Sequence, residues 1–191
     1  RQMCIRDRTT AQVVALPVDN IAAMTTAQIL ALSTEQTAAL DTAQIESLTT
    51  AQVLALRTAQ IANLTTEQVA ALETRDVAVL TVAQATALQA PQVAALTTDQ
   101  VRALTSAAVR VISTAGIAAM GTDQIEALTS AQAAALTSSQ VAALSTEQLA
   151  SIETGDLAAM SSAQLLNIGT ARISALTTAQ IEGLTTAQVA G

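Results

Sequence analysis

Residues 64–72 read Leu-Thr-Thr-Glu-Gln-Val-Ala-Ala-Leu, and this stretch sets the pattern of almost the whole chain. From Thr9 onward the sequence divides, without insertion or deletion, into 22 octads that end at Leu184, followed by the seven-residue remnant 185–191. The eighth position is Leu, Ile or Met in every complete octad, and the fifth is Val, Ile or Leu in 20 of 23 copies. Spacing this strict means that each octad performs the same structural task.

The octad carries the signals of one short helix. A single continuous helix is excluded, because eight residues at about 100° each rotate the apolar stripe by roughly 80° per octad, and no one partner could cover it. The helix must therefore restart at the Thr-Thr step. There Thr65 takes the N-cap position and Gln68 takes N3, which predicts a capping box, while Leu64 and Val69 supply a hydrophobic staple.

The repeat predicts an all-α fold, a superhelical solenoid of very short helices with one helix per octad. Helices this short are unstable alone in water, so stability must accrue as octads stack. A β-solenoid is the alternative, because Thr, Val and Ile favour strands. Against it, positions five and eight differ by three and cannot share one face of a strand. We expect residues 9–191 to form one array, with positions five and eight inside and position six outside.

Composition excludes most enzyme mechanisms. The chain has no histidine, no lysine and no aromatic residue, and Cys4 is its only cysteine. It therefore lacks an imidazole base, a Schiff-base amine and a phenolic acid, and its many hydroxyl groups have no base to activate them. We predict a protein that is not an enzyme, with no catalytic residue, no metal and no cofactor.

The first eight residues differ from everything that follows. Residues 1–8 read Arg-Gln-Met-Cys-Ile-Arg-Asp-Arg, which resembles the translation of a transposase sequencing adapter. The resemblance implies that this octet, including Cys4, is an artefact to be excluded from fold reasoning, and that the chain is a fragment. Without the octet, five arginines face fourteen acidic residues, a net charge of −9.

Two kinds of charged cluster are candidate sites. The segments Glu73-Thr-Arg-Asp76 and Glu153-Thr-Gly-Asp156 each place two carboxylates three residues apart, as in a cation site or an acid/base pair. The alternative, which we favour because no third ligand or histidine accompanies them, is a variant helix cap with Asp at N3. Arg102 and Arg110 recur at position six and could bind an anion, although a solvated outer face is the commoner role of such residues.

Nucleic acid and membrane partners are not expected. Residues 64–72 resemble the opening helix of a transcription-activator-like effector repeat, but the second helix and the base-reading loop of that repeat are absent. The net charge of −9, without lysine or aromatic residues, would repel a phosphate backbone. The polar Thr-Thr-x-Gln unit also interrupts every apolar run long before the roughly 20 residues that span a bilayer.

Residues 9–191 as a whole resemble the Thr-Thr-Ala-Gln-Ile-Ala-Ala-Leu arrays of large repetitive bacterial proteins labelled adhesin, hemagglutinin-like or heme-utilisation proteins. The resemblance implies a non-enzymatic stalk or scaffold segment of a secreted or cell-surface protein, with protein partners or neighbouring domains of the same chain. It carries no site residues to this sequence. The alternative function is ice binding through the regularly spaced threonines at position two of the octads.

Overall fold

The computed structural model describes residues 7–190, and within that range the chain is helical and contains no strand. Each octad forms one α-helix, so α1 belongs to the octad that begins at Thr9. In chain order, α1 to α23 are Thr10–Val14, Val18–Ala22, Thr26–Ala31, Thr34–Ala38, Thr42–Glu46, Thr50–Ala55, Thr58–Ala62, Thr66–Ala71, Thr74–Val77, Val82–Ala87, Ala90–Ala94, Thr98–Ala103, Ser106–Val111, Thr114–Ala119, Thr122–Glu126, Ser130–Ala135, Ser138–Ala143, Thr146–Ser151, Thr154–Ala159, Ser162–Leu166, Thr170–Ile173, Thr178–Glu182 and Thr186–Ala190. The predicted all-α solenoid is confirmed, and the β-solenoid is ruled out for the described residues.

Local backbone geometry explains where each helix begins and ends. In α8, the N-cap Thr65 is extended (φ −73°, ψ 164°), and its hydroxyl accepts a hydrogen bond from the Gln68 N–H at 3.2 Å. At the other end, Leu72 leaves the helical region (φ −61°, ψ 135°) while its N–H still donates to the Val69 carbonyl at 3.2 Å. The helix is therefore six residues long, and the chain turns away into the next N-cap.

The core runs along the whole array and consists mainly of positions five and eight. Val69 is 0% exposed and Leu72 is 4% exposed, whereas Ala70 at position six is exposed. The three departures from a large aliphatic at position five, Thr37, Ala85 and Ala133, are also buried. The predicted inside and outside of the octad are confirmed.

The helices stack as successive turns of a superhelix. Helices that pack together are separated by three positions in the chain, as in α11 on α14 and α16 on α19. Hydrogen bonds between turns join side chains to carbonyls 28 and 31 residues earlier, as from Gln100 to Leu72 and Val69. Helices pack against helices three octads earlier and hydrogen-bond to helices four octads earlier, so each superhelical turn contains between three and four octads, which the octad pattern alone does not indicate.

Candidate functional site

Position four of the octad holds the side chain that ties successive turns together. Oε1 of Gln100 accepts a hydrogen bond from the Thr97 N–H at 2.8 Å, which completes the capping box of α12. Nε2 of the same side chain donates to the Leu72 carbonyl at 2.5 Å and to the Val69 carbonyl at 3.0 Å. This side chain is 1% exposed. One buried amide thus caps the start of its own helix and the end of the helix four octads earlier.

We call the side chains that repeat this contact the glutamine ladder. Its members donate from Nε2 to the carbonyl 28 residues earlier: Gln36, Gln44, Gln52, Gln60, Gln68, Gln84, Gln92, Gln100, Gln124, Gln132, Gln140, Gln148, Gln164, Gln180 and Gln188. The last carbonyls of a helix have no partner within that helix, and leaving them buried and unpaired is costly. The ladder supplies those partners from the next turn.

The sequence predicted only the capping half of this role. A capping box accepts either Glu or Gln at N3, because only an acceptor is needed there. Position four, however, contains glutamine in 17 of 23 octads and glutamate in none. Only the amide offers both an acceptor and a donor. The exclusion of glutamate was the signal that a second hydrogen bond had to be made.

An arginine replaces the glutamine in α21. Nη1 of Arg172 donates to the Leu144 carbonyl at 2.7 Å and to the Ala142 carbonyl at 2.8 Å, which lie 28 and 30 residues earlier. The N-cap of this helix is Gly169, whose positive φ of 78° is a conformation that other residues rarely adopt. The guanidinium therefore keeps the contact between turns although the capping box of this octad is absent.

Two consecutive octads lack a ladder donor. Ala108 and Gly116 occupy position four of α13 and α14, where they cannot reach the carbonyls of the previous turn. A Cβ atom at Gly116 would lie 2.7 Å from Cγ2 of Ile112 and 3.2 Å from Cγ2 of Val93. The glycine therefore allows α14 to approach α11 closely at the point where the hydrogen bond is missing.

The two aspartates of the predicted acidic pairs also lie at position four, and both bond to the previous turn. Thr50 donates from Oγ1 to Oδ1 of Asp76 at 2.8 Å. Ser130 donates from Oγ to Oδ1 of Asp156 at 2.6 Å. Both hydroxyls sit at position two of the octad three places earlier in the chain. The carboxylates thus accept a hydrogen bond between turns where glutamine would donate one.

The glutamates of these pairs play a different part. Neither Glu73 nor Glu153 makes a side-chain cap bond, although Asp76 and Asp156 stand at N3 in the first turn of their helices, where the cap variant places them. Glu73 instead pairs with Arg75 at 2.7 Å, and both side chains are largely exposed, which makes the pair worth little in stability. Within residues 7–190, no group of three or more His, Cys, Asp or Glu residues could hold a metal ion.

Asp76 is an acidic residue buried in the core. It is 0% exposed, and its Oδ2 has no hydrogen-bond partner. Burial raises the pKa of this carboxyl above its ordinary value, while the bond from Thr50 and the charge of Arg75 oppose the shift. The charged form is therefore disfavoured in the folded state relative to the unfolded chain.

Replacing Asp76 by asparagine is expected to raise the free energy of unfolding at neutral pH by about 1–3 kcal/mol, because it removes a buried, partly unpaired carboxylate. The folded pKa lies above the unfolded one, so the wild-type protein loses stability as pH rises from about 3.8 through the folded value. The variant lacks that loss. Urea unfolding across this range measures the difference, with the exposed Asp123→Asn as a control that changes by less than about 0.5 kcal/mol. A less stable Asp76→Asn at neutral pH would contradict the assignment.

The position-three glutamates lie on the outer surface, in the first turn of their helices. The pKa values of Glu35, Glu67 and Glu147 are lowered, chiefly by hydrogen bonding to their own backbone N–H and then by the neighbouring hydroxyls. The charged carboxylate is also favoured by the positive end of the helix dipole. These residues give the array an acidic outer surface.

The other predicted site residues lie on the outside of the superhelix. Arg102 and Arg110 are exposed at position six of α12 and α13. The threonines of position two are not equivalent to one another, because Thr26 and Thr98 are exposed whereas Thr50 is half-buried and donates to Asp76. Cys4 and most of the octet 1–8 fall outside the described residues.

These features define an α-helical solenoid built from octapeptide repeats. None of its helices within the described range has the length and apolarity needed to span a bilayer. The profile of the ALTTAQ repeat family matches residues 9–42, 38–66, 69–106, 101–130 and 149–186, so the chain belongs to that family. None of the curated proteins compared with the chain matches it.

Proposed function

We propose that this array is a non-enzymatic structural segment, a stalk or scaffold that spaces other domains of a larger protein and offers an outer face to protein partners. The observation that carries the proposal is the glutamine ladder, in which a position-four amide in most octads fixes the position of the octad relative to the turn before it. Because the same contact recurs along the chain, adding octads lengthens the superhelix without changing its cross-section.

The distribution of side chains fits a spacer. The polar groups that recur in most octads, the N-cap hydroxyl and the position-four amide, are occupied by caps and by contacts between turns. Positions three and six stay exposed and vary from copy to copy, as at Glu67 and Arg102. A protein partner would therefore contact the side chains of positions three and six on the outer surface, where substitutions leave the core unaffected.

We further propose a secreted or cell-surface location in a bacterium, which rests on the resemblance to repetitive surface proteins. The acidic surface and the absence of cysteine from residues 9–191 are compatible with that location. Labelling intact cells of the source organism with an antibody against the array tests it. Signal that appears only after the cells are permeabilised would overturn the location and leave the spacer role intact.

Duplicating residues 49–104 within the chain is expected to lengthen the molecule without widening it. The insert contains seven octads, or about two superhelical turns at between three and four octads per turn. Helices in contact lie about 8–10 Å apart, so two turns add roughly 16–20 Å to the long axis. Small-angle X-ray scattering measures the maximum dimension and the cross-section separately. An unchanged maximum dimension, or a wider cross-section, would contradict the stalk.

The alternative function is ice binding through rows of threonines. It predicts activity in a thermal-hysteresis measurement, whereas a spacer predicts none. Exposed hydroxyls at Thr26, Thr58 and Thr98 favour it. Each turn takes between three and four octads, however, so neighbouring position-two residues point in different directions around the axis. Val82 also interrupts the series. We expect no thermal hysteresis, and clear activity would make ice binding the better proposal.

A further inference from the structure

The acidic residues after residue 8 are absent from six regularly spaced stretches of the sequence. These acid-free stretches are residues 25–32, 49–64, 81–88, 105–120, 137–144 and 161–176. Their midpoints, 28.5, 56.5, 84.5, 112.5, 140.5 and 168.5, are 28 residues apart. A ladder glutamine and the carbonyl that it meets in the previous turn are also 28 residues apart, as for Gln100 and Leu72. The charge pattern therefore repeats at the spacing at which successive turns meet.

Contacts between turns place the six stretches on one side of the superhelix. Nε2 of Gln60 donates to the Leu32 carbonyl at 3.2 Å, which joins the second stretch to the first. Nε2 of Gln84 donates to the Leu56 carbonyl at 2.9 Å, which joins the third to the second. The fourth stretch packs on the third through α13 and α10, and hydrogen bonds join the fifth to the fourth and the sixth to the fifth. The six stretches therefore form one continuous surface, which we call the acid-free face, and the fourteen acidic residues lie elsewhere around the superhelix.

The acid-free face also carries exposed aliphatic side chains. Among residues 25–176, the large hydrophobic residues that are exposed all lie on it: Leu30, Leu54, Val82, Leu166 and Ile173. Leu54 and Val82 are 45% and 49% exposed although each has a turn of the chain on either side, because α6 contacts α3 and α9, and α10 contacts α7 and α13. Their exposure is therefore a property of this side of the superhelix and is independent of the ends of the array.

A second copy of the chain fits this face because two copies can approach there without opposing their carboxylates. From residue 9 onward the net charge is −9, so contact through the acid-bearing stretches would bring like charges together. Contact through the acid-free faces instead buries leucine and valine side chains and leaves the acidic residues of both copies away from the interface.

The arginines of the acid-free face oppose such a contact only weakly. Arg57, Arg110 and Arg172 are 53 and 62 residues apart along the chain, which is about two turns in each case. Two turns separate them by roughly 16–20 Å, because packed helices lie about 8–10 Å apart. That distance exceeds the Debye length of about 8 Å at physiological salt, so their repulsion across the interface is largely screened.

We propose that two copies of this chain pair side by side through their acid-free faces. The contact is isologous, with the same surface used by both copies, so it closes as a dimer and does not propagate. It involves only the side of the array, so an array with more turns would present the same contact over a greater length. The inference does not depend on the proposed function.

The size of the acid-free face sets the strength of the pairing. Six turns at about 8–10 Å each give a face roughly 50–60 Å long. A strip of about one helix diameter, 10–12 Å, along it would bury roughly 600 Å² of each copy. That area lies somewhat below the about 800 Å² per partner of a standard stable interface, so the dimer dissociates in the micromolar range.

The test changes the acid-free face without changing the fold. Leu54→Glu with Val82→Thr removes two exposed aliphatic side chains and adds one carboxylate to that face. Glutamate occurs naturally at position six, as at Glu46, and threonine is the usual residue at position two, so the octad tolerates both. The matched control is Ala94→Glu, which adds the same charge at an exposed position six outside the acid-free face. If thermal unfolding shows the double variant to be destabilised, Thr86→Glu, exposed at position six of α10, replaces it.

The readout is the mass of the full chain by analytical ultracentrifugation over a concentration series through the micromolar range. A reducing agent keeps Cys4 from forming a disulfide between copies. We expect the wild type and Ala94→Glu to form dimers with the same dissociation constant, and the variants of the acid-free face to dimerise at least about tenfold more weakly. A wild type that stays monomeric, assemblies larger than a dimer, or an equal weakening by Ala94→Glu would each overturn the proposal.

Discussion

Gln100→Glu is expected to lower the free energy of unfolding by about 3–5 kcal/mol at neutral pH. Glutamate can still accept the cap bond from the Thr97 N–H, but its other oxygen carries no proton to give to the Leu72 carbonyl. A carboxylate would then be buried against a carbonyl oxygen, at a position where the native side chain is only 1% exposed. Urea unfolding followed by far-UV circular dichroism measures the loss.

The pH dependence of this variant identifies the missing proton as the cause. Burial raises the pKa of the new carboxyl in the folded state, so the loss is complete above that pKa and shrinks as pH falls through it. The protonated acid can donate to Leu72 in place of the amide. Gln28→Glu is the matched control, because Gln28 caps its helix in the same way but is exposed and has no carbonyl within reach among residues 7–190. We expect the control to change by less than about 0.5 kcal/mol, and equal losses in both variants would show that the ladder contributes nothing.

Much of the fold could be predicted because each octad carries complete local signals. The hydroxyl at Thr65, the amide at Gln68 and the aliphatic pair Leu64 and Val69 specify where a helix starts and which side it buries. These contacts span at most a few residues, so periodicity and residue type are sufficient to predict them. The same pattern separated the buried position five from the exposed position six, as Val69 and Ala70 show in the structure.

The contacts between turns could not be predicted in this way. Gln100 meets Leu72 across 28 residues, which is not a whole number of octads, so the partner depends on the angle between successive helices rather than on the repeat. That angle is set by the Leu-Thr junction, where Leu72 is extended. The behaviour of Asp76 follows from the same cause, because its partner Thr50 is 26 residues away and belongs to the previous turn.

Leu72→Ala is expected to lower the free energy of unfolding by about 2–5 kcal/mol, as other changes from a large to a small core residue do. Leu72 is 4% exposed and belongs to the continuous core of positions five and eight. The substitution removes apolar surface from that core and leaves a cavity that the neighbouring octads fill only in part. The carbonyl of residue 72 stays in place, so the bond from Gln100 can persist, and the measurement isolates the packing contribution.

Ala70→Ser lies two residues away on the same helix, which makes it a close control. Ala70 sits at position six and is exposed, so a hydroxyl there remains in water and should change the free energy of unfolding by less than about 0.5 kcal/mol. Stability in a stacked array is shared between neighbouring octads, so a cavity at Leu72 should also weaken the octads packed against α8. Hydrogen exchange would then speed up in α5 and α11, which contact α8 from the turns on either side, more than in distant helices. Equal losses at Leu72 and Ala70, or faster exchange confined to α8, would mean that the turns do not stabilise one another.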